Sequence, residues 1–169
     1  MKRLIFVLSC LVFLLTGLNL RGQNANSEYS IVNKIHLPGD GGWDYLSVDE
    51  NGARLFVSHS TIVQVVDLKT SKVVGTINDT PGVHGIALAE DLNKAFISVG
   101  RNALVKVINF KTLELIADIK VTGQNPDAIM YDAYSQKVFV FNGGSSNATV
   151  IDAKNTSYLS AFSRIQSGS

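Results

Sequence analysis

The sequence predicts an all-β protein assembled from repeated units of about 42 residues, and three observations support this prediction. Short strings of residues recur in a fixed order, each unit holds four runs rich in Val, Ile and Phe, and turn residues separate the runs. Beyond the N-terminal apolar run, no stretch of 11 or more residues has a sustained helical period. Four strands per unit at this spacing are typical of β-propeller blades, whereas ankyrin and leucine-rich repeats are shorter.

Two strings set the period. The first has a basic residue followed by an apolar run centred on Phe, and it occurs at 54–58, 94–98 and 137–141. The second has Asp or Asn two residues before Lys, and it occurs at 65–70, 107–112 and 150–155. The intervals are 40 and 43 residues for the first string and 42 and 43 for the second. A β-sandwich, the alternative all-β fold, does not predict matching strings at such even spacing.

The repeat divides the chain into predicted segments. They are a signal peptide at 1–22, a partial propeller at 23–155 with an orphan outer strand at 28–39, blade 1 at 43–80, blade 2 at 83–122, blade 3 at 126–162, and an irregular tail at 163–169. The orphan strand matches the fourth strand of a unit, and in a closed ring such a strand completes the last blade. Propellers have about four to eight blades. We therefore expect about three blades in an incomplete ring, from a truncated protein or a segment of an assembly.

The N-terminus has the pattern of a secretory signal peptide. Lys2 and Arg3 precede the apolar run Leu4–Leu15, which is too short to span a bilayer. Cleavage near Gly22 predicts a periplasmic or extracellular protein with no transmembrane anchor in its mature form. Cys10, the single cysteine, lies in the apolar run, so the mature chain must gain its stability from packing rather than from disulfides. Lipidation at Cys10 is the alternative.

The charge distribution argues against one class of partner. The formal net charge is +1, and without the signal peptide 12 basic residues stand against 14 acidic ones. The sequence contains no cluster or stripe of Lys and Arg. We therefore expect no binding to duplex nucleic acid.

Three strings also resemble a known family. They are Arg54–Val57, Val65–Thr70 and Lys72–Ile77, with Gly41–Asp49 as a fourth segment similar to the start of a first blade. They resemble the YVTN-repeat (YncE-like) propellers of bacterial envelopes, and the resemblance covers about residues 28–155. It implies a seven-bladed ring and says more about fold than about activity, because the repeated residues are structural. Asn109 departs from the usual Asp of the repeat, and Phe56 from the usual Tyr.

The candidate site lies where two sets of loops open on the same face of each blade. These are the loop before the inner strand and the loop between the second and third strands, whose residues differ between units while the frame repeats. The candidate ligand-binding residues are Trp43, Asp44, His59, His84, Arg101 and Asp127. His59 and His84 could bind a metal together with Asp44 or Asp127, and the alternative is that the histidines only form hydrogen bonds within loops. Trp43 could stack on a ligand or be wedged between inner strands, and Arg101 could bind an anion or be solvated. Asp67, Asn109 and Asp152 are predicted to fix turns.

No pattern for catalysis is present. The sequence has no nucleophile elbow, phosphate loop, dinucleotide fingerprint or paired zinc motif, so we predict no catalytic residue, metal or cofactor. The predicted function is a non-catalytic binding or interaction scaffold for a small molecule or a protein. The alternative is a lactonase-like or redox-associated propeller enzyme with its catalytic residues in further blades. Exposed blade edges also predict self-association.

Overall fold

Three four-stranded antiparallel sheets make up the structure, a computed structural model that describes residues 29–49, 51 and 53–163. Blade 1 consists of β1 (Trp43–Val48), β2 (Arg54–His59), β3 (Ile62–Asp67) and β4 (Lys72–Ile77). Blade 2 consists of β5 (Val83–Ala89), β6 (Lys94–Val99), β7 (Leu104–Asn109) and β8 (Leu115–Lys120). Blade 3 consists of β9 (Pro126–Asp132), β10 (Lys137–Asn142), β11 (Asn147–Asp152) and β12 (Ser157–Ser163). In each sheet the strands lie in chain order. The predicted fold class, all-β with about three blades that do not close a ring, is confirmed.

Some predicted segments differ from the structure or lie outside it. Residues 29–39, the described part of the orphan strand predicted at 28–39, carry no strand in the structure, so their role in closing a ring stays a prediction. Residues 29–34 form a unit apart from 35–163. β12 extends to Ser163, which was assigned to the tail. The signal peptide and residues 164–169 lie outside the described residues.

The turns between the third and fourth strands are held by the same kind of side-chain-to-backbone hydrogen bond in all three blades. Asp67 Oδ1 accepts the backbone N–H of Lys69 at 2.9 Å and of Thr70 at 2.7 Å. Asn109 Oδ1 and Asp152 Oδ1 accept equivalent bonds. These bonds hold the pKa of the Asp67 and Asp152 carboxyls below the ordinary value. Each turn then ends on a residue with positive φ, at Ser71, Leu113 and Thr156. The predicted turn-fixing role of the three Asx residues is confirmed.

The hydrophobic core lies between blades rather than within one sheet. We define the first face of a blade as the face toward the preceding blade, and the second face as the opposite one. One cluster joins the second face of blade 1, with Phe56 at its centre, to the first face of blade 2, with Ile97 and Ile108. Another joins the second face of blade 2, around Phe96, to blade 3, around Val138. Both Phe side chains are fully buried, and truncation of such a side chain to Ala costs about 3–5 kcal/mol.

A basic residue at the start of the second strand also ties each blade to the next. Arg54 in blade 1 donates from Nη1 to the carbonyl of Phe110 at 3.0 Å, and its guanidinium lies 4.3 Å from the centre of the Phe110 ring. Lys94 in blade 2 donates from Nζ to the carbonyls of Ala153 at 2.9 Å and Lys154 at 2.7 Å. Phe110 and Ala153 hold the same position in successive blades, directly after the Asx residue of the turn. We call this contact the blade latch.

The inner strands approach each other closely where glycine leaves room. A Cβ on Gly85 in β5 would lie 2.7 Å from Ile129 Cγ2 and 3.0 Å from the Asp127 carbonyl in β9. The pairing of β5 with β6 is irregular between Val83 and Ile86. There Ser98 Oγ accepts the N–H of Gly85 at 2.8 Å and donates to the Asp127 carbonyl at 2.6 Å. Blades 2 and 3 are therefore fixed to one another at the ends that carry the candidate site.

The helices in the described part of the chain are two short 3₁₀ turns, Glu90–Leu92 and Gly100–Asn102. None there has the length and apolar character required to cross a membrane.

Candidate binding surface at the mouth loops

We use the term mouth loops for the loop before the inner strand and the loop between the second and third strands of each blade, together with the strand ends that adjoin them. The sequence predicted all six site residues in loops, but the structure places Trp43, Asp44, His59, His84 and Asp127 at strand ends, because the pairing with the second strand or its partner extends further than the residues themselves indicate.

The mouth loops are bonded to one another through their backbones. Gly82 donates its N–H to the Ser60 carbonyl at 2.9 Å, and Gly100 donates to the Gly82 carbonyl at 2.8 Å. Gly143 donates to the Asn125 carbonyl at 3.0 Å. These bonds run within blades 2 and 3 and also from blade 1 to blade 2, so the side chains on the mouth loops project from a fixed frame.

Asp44 and His84 form the closest contact among the predicted site residues. Asp44 Oδ2 lies 2.6 Å from His84 Nδ1, and the two side chains are 52% and 26% exposed. On the other side of the ring, His84 Nε2 lies 3.3 Å from Asn125 Oδ1. One imidazole therefore connects side chains from the mouth loops of all three blades. A carboxylate on Nδ1 orients the ring as it does in acid–base sites, but the same contact also stabilises the junction of the blades.

Trp43 and His59 form a second contact, and it differs from the expected arrangement. His59 is 1% exposed, so it does not present its ring to solvent. The Trp43 ring stacks on it, with centroids 4.7 Å apart and an interplanar angle of 16°. Trp43 is 56% exposed, so in the described structure it is not wedged between two inner strands, and one face of its ring stays open to a ligand.

A chain of polar contacts holds His59 in place beneath Trp43. Gln64 Nε2 donates to the Pro38 carbonyl at 2.9 Å, which directs Gln64 Oε1 toward His59 Nδ1 at 3.1 Å. Nδ1 therefore carries the proton in this arrangement, and Nε2 has no hydrogen-bond partner among the described residues. His59 and His84 have separate partners, and the described residues include no group of three His, Cys, Asp or Glu side chains placed to bind a metal ion.

Arg101 and Asp127 lie on the mouth loops with exposed side chains. A Cβ on Gly82 would lie 2.9 Å from Arg101 Cγ, so glycine at this position allows the Arg101 stem to lie along the loop. Asp127 lines a cavity of about 550 Å³ with Phe141, Asn142 and Phe162, among other residues. The Asp127 side chain is thus near an apolar wall, and Arg101 supplies a cation on the neighbouring blade.

Two residues at this surface were not predicted from the sequence. Asn125 bonds His84 and has a positive φ of 51°, and Gly100 is the residue over which the His84 ring lies. A Cβ on Gly100 would lie 2.5 Å from Asn125 Oδ1 and 2.9 Å from His84 Nε2. Asn125 stands in the loop before an inner strand, so its place in the repeat was the available signal. The sequence prediction took only the residues immediately before or within that strand.

The comparisons with known proteins give the same fold. Hydrazine synthase from Kuenenia stuttgartiensis is similar over 79% of this chain and 38% of its own, with a TM-score of 0.68 and 22% identity. The structure of U3-55K is similar over 77% of this chain and 42% of its own, with a TM-score of 0.70 and 9% identity. The WD40 repeats of RRP9 are similar over 77% and 41%, with a TM-score of 0.67 and 9% identity.

At these identities the likeness shows the fold alone, and the chain spans less than half the length of each of these solved structures. A scan against protein-family models and a search of curated proteins find no match. The four-stranded sheets, the cores between them and these neighbours together show that the chain is built of β-propeller blades.

Proposed function

We propose that this chain is a non-catalytic interaction scaffold that binds its partner on the mouth loops. The binding surface comprises Trp43, Asp44, His84, Arg101, Asn125 and Asp127. The observation that carries the proposal is the combination of a hydrogen-bonded backbone frame with exposed side chains that differ from blade to blade. Such a surface binds without the ordering cost that flexible loops would add.

The side chains of the surface define the chemistry of a suitable partner. Trp43 offers one open ring face, since His59 covers the other. Asp44 and Asp127 offer carboxylates on the blades before and after the blade of His84, and Arg101 offers one cation. A peptide segment with an aromatic or apolar side chain and a neighbouring basic group matches these features.

The setting of this function is proposed from the sequence. The N-terminal pattern supports export to the periplasm or the cell exterior, and the repeat strings support membership of the YncE-like propellers. The proposal of export can be checked on the expressed protein, by N-terminal sequencing of the form recovered from a bacterial periplasm. Recovery of an uncleaved cytoplasmic form would contradict the proposal of export.

Trp43 provides the direct test of binding, because it is the single tryptophan of the chain. Peptides selected from a random display library on the wild-type protein should change its fluorescence on titration. Trp43→Ala and Asp127→Asn should each weaken binding about tenfold or more, as measured by isothermal calorimetry. The matched control is Tyr134→Ala, which removes an aromatic side chain that is 99% exposed in the turn between β9 and β10, at the other end of the blade. If selected peptides bind the Trp43 and Tyr134 variants equally, the mouth loops are not the binding surface.

The Asp44–His84 pair favours one second candidate, an enzyme that uses His84 as a general base. Lactone hydrolysis by the purified chain, lost in His84→Asn and in Asp44→Asn, would replace the binding proposal. Retention of a trace activity in both variants would assign that activity to a contaminant.

A further inference from the structure

A cavity of about 520 Å³ opens at the junction of blades 2 and 3, at the end opposite the mouth loops. We call it the base cavity, and its lining residues are Leu88, Glu90, Asp91, Tyr131 and Ala133. All of them lie at the last residues of β5 and β9 or directly after these strands. Two consecutive blades therefore form the cavity by themselves. Its volume lies within the range of about 300–1,000 Å³ that is usual for ligand sites.

A hydrogen bond between the two blades forms one wall of the base cavity. Tyr131 Oη donates to Asp91 Oδ2 at 2.8 Å. The other carboxylate oxygen, Asp91 Oδ1, has no hydrogen-bond partner among the described residues. The Asp91 side chain is exposed and Tyr131 is half-buried. Asp91 can therefore accept a further hydrogen bond from a molecule in the cavity and keep its bond to Tyr131.

The charges around the Tyr131 phenol are negative. Burial, the hydrogen bond to Asp91 and the carboxylates of Asp91 and Asp132 raise the pKa of Tyr131 to about 12. The carboxylates have this effect because they repel a phenolate, and the same charges attract a cation. Glu90 adds another carboxylate to the lining, and the lining includes no basic side chain. The base cavity therefore favours a positively charged group.

The rest of the lining is apolar and favours one kind of cation. Leu88 and Ala133 provide a surface on which the aliphatic stem of a long basic side chain can pack. The Tyr131 ring adds an aromatic face, which attracts a cation placed over it. A planar guanidinium can donate to Asp91 and to the Tyr131 oxygen at once, whereas an ammonium is a strongly hydrated point charge. These features fit an arginine side chain better than a lysine side chain.

The equivalent junction between blades 1 and 2 lacks this chemistry. Leu88 there holds the position that Tyr131 holds in blade 3, and Asn51 holds the position of Asp91. A leucine and an amide offer neither a phenol nor a charge. The Tyr131–Asp91 pair is therefore not required by the repeat, and residues that differ while the frame repeats are where binding specificity resides.

We propose that the base cavity binds an arginine side chain of a partner protein, with the guanidinium on Asp91 and Tyr131 and the aliphatic stem on Leu88 and Ala133. This site lies at the other end of the blades from the mouth loops, so it is separate from the binding surface proposed there. Two partners, or two parts of one partner, can then bind the two ends at the same time.

The test titrates the chain, labelled with carbon-13 in its tyrosine rings, and follows the ring signals by NMR. The probe is N-acetylarginine methylamide, and Tyr131→Phe identifies the Tyr131 signals. We expect a saturable shift of these signals with a Kd of about 1–10 mM, since the probe is a single side chain. The uncharged analogue N-acetylcitrulline methylamide should cause no such shift. The lysine analogue should bind about fivefold more weakly than the arginine probe.

Two variants of the cavity test its charge and its volume separately. Asp91→Asn should weaken binding about fivefold, the scale of an exposed ion pair, while Asn keeps an acceptor for the Tyr131 hydroxyl. Its matched control, Asp79→Asn, removes an exposed carboxylate at the mouth end and should leave the Kd unchanged. Ala133→Trp should abolish binding because the indole fills the cavity, whereas Asn102→Trp adds the same ring at an exposed mouth-loop position and should not.

Circular dichroism shows whether each variant is folded, and Asp91→Asn decides the result if Ala133→Trp is not. Several results would overturn the proposal. A titration without saturation means that there is no site, and equal binding of the arginine and citrulline probes means that no charge is recognised. Equal binding of the lysine probe means that the site does not select arginine. If Asp91→Asn and Asp79→Asn have the same effect, or if Ala133→Trp is folded and still binds, the probe does not occupy the base cavity.

Discussion

Replacing Lys94 with Met removes the ammonium of the blade latch while keeping a side chain of similar length. The wild-type Nζ donates three hydrogen bonds, to the Ala153 carbonyl at 2.9 Å, the Lys154 carbonyl at 2.7 Å and Thr156 Oγ1 at 2.7 Å. All three acceptors lie in the turn between β11 and β12, so the contact fastens the outer part of blade 3 to blade 2. Met cannot donate, and the buried Ala153 loses a partner for its carbonyl.

The expected magnitude follows from two opposing effects. Hydrogen bonds to a charged group contribute about 1.5–3 kcal/mol each before other costs. Burial lowers the pKa of Lys94, which means that desolvation of the ammonium offsets part of this gain. Ordering the lysine side chain costs a further 1.5–2 kcal/mol, roughly. We therefore expect Lys94→Met to lower the free energy of unfolding by about 1–2 kcal/mol, which corresponds to a fall in Tm of about 4–8 °C for a domain of this size.

The assay is urea unfolding followed by circular dichroism, on the wild type, Lys94→Met and the control Lys111→Met. Lys111 is exposed in the equivalent turn of blade 2 and is not a latch residue. The control should stay within about 0.5 kcal/mol of the wild type, as is usual for a surface substitution. If Lys94→Met is as stable as the control, the three hydrogen bonds contribute nothing net, and the latch does not stabilise the junction.

Three further predictions concern the junctions and turns. Gly85→Ala should lower the free energy of unfolding by about 1–3 kcal/mol, because the added methyl overlaps Ile129 and the Asp127 carbonyl. The control is Gly42→Ala, where a Cβ meets nothing within 4 Å. Equal Tm values for the two variants would contradict the close approach of β5 and β9. Asp67→Ala should lower Tm, whereas Asp67→Asn should change Tm little, because Asn109 makes the same turn in blade 2. If Asp67→Asn has a Tm as low as that of Asp67→Ala, the carboxylate charge is required. Burial and the hydrogen bond to Asp91 raise the pKa of Tyr131 from 10.0 to about 12, so this phenol contributes stability that is fully present below pH 10 and is lost as the pH rises toward 12. Unfolding midpoints of the wild type should therefore fall more steeply over this range than those of Tyr131→Phe, and parallel pH profiles would refute the assignment.

Much of the fold could be predicted because its determinants are local and repeated. The alternation of Val, Ile and Phe in β2, β6 and β10 specifies strands with two buried faces, and the Asx residues of the β3–β4, β7–β8 and β11–β12 turns make their bonds within a few residues of chain. β12 extends one residue into the predicted tail, because its residues are all exposed and no pattern of buried positions marks where the strand ends.

The candidate site was predicted only as a set of positions. Equivalent places in the repeat brought Asp44 and His84 onto the same side, but their 2.6 Å contact crosses from one blade to another. The burial of His59 depends on Trp43 and on Gln64, and the role of Asn125 depends on the ring orientation of His84. Contacts between residues about 40 positions apart leave no periodic signal in the chain.

The sequence by itself determined the secondary structure class, the unit length and the turn residues, because strand propensity and Asx turns act over a few residues. Only the tertiary structure decided how one blade packs against the next and which side chains form the contact. Blade junctions arise from the distance and angle at which sheets pack, so the latch from Lys94 to the Ala153 carbonyl and the glycine at 85 acquire a role only when two sheets meet.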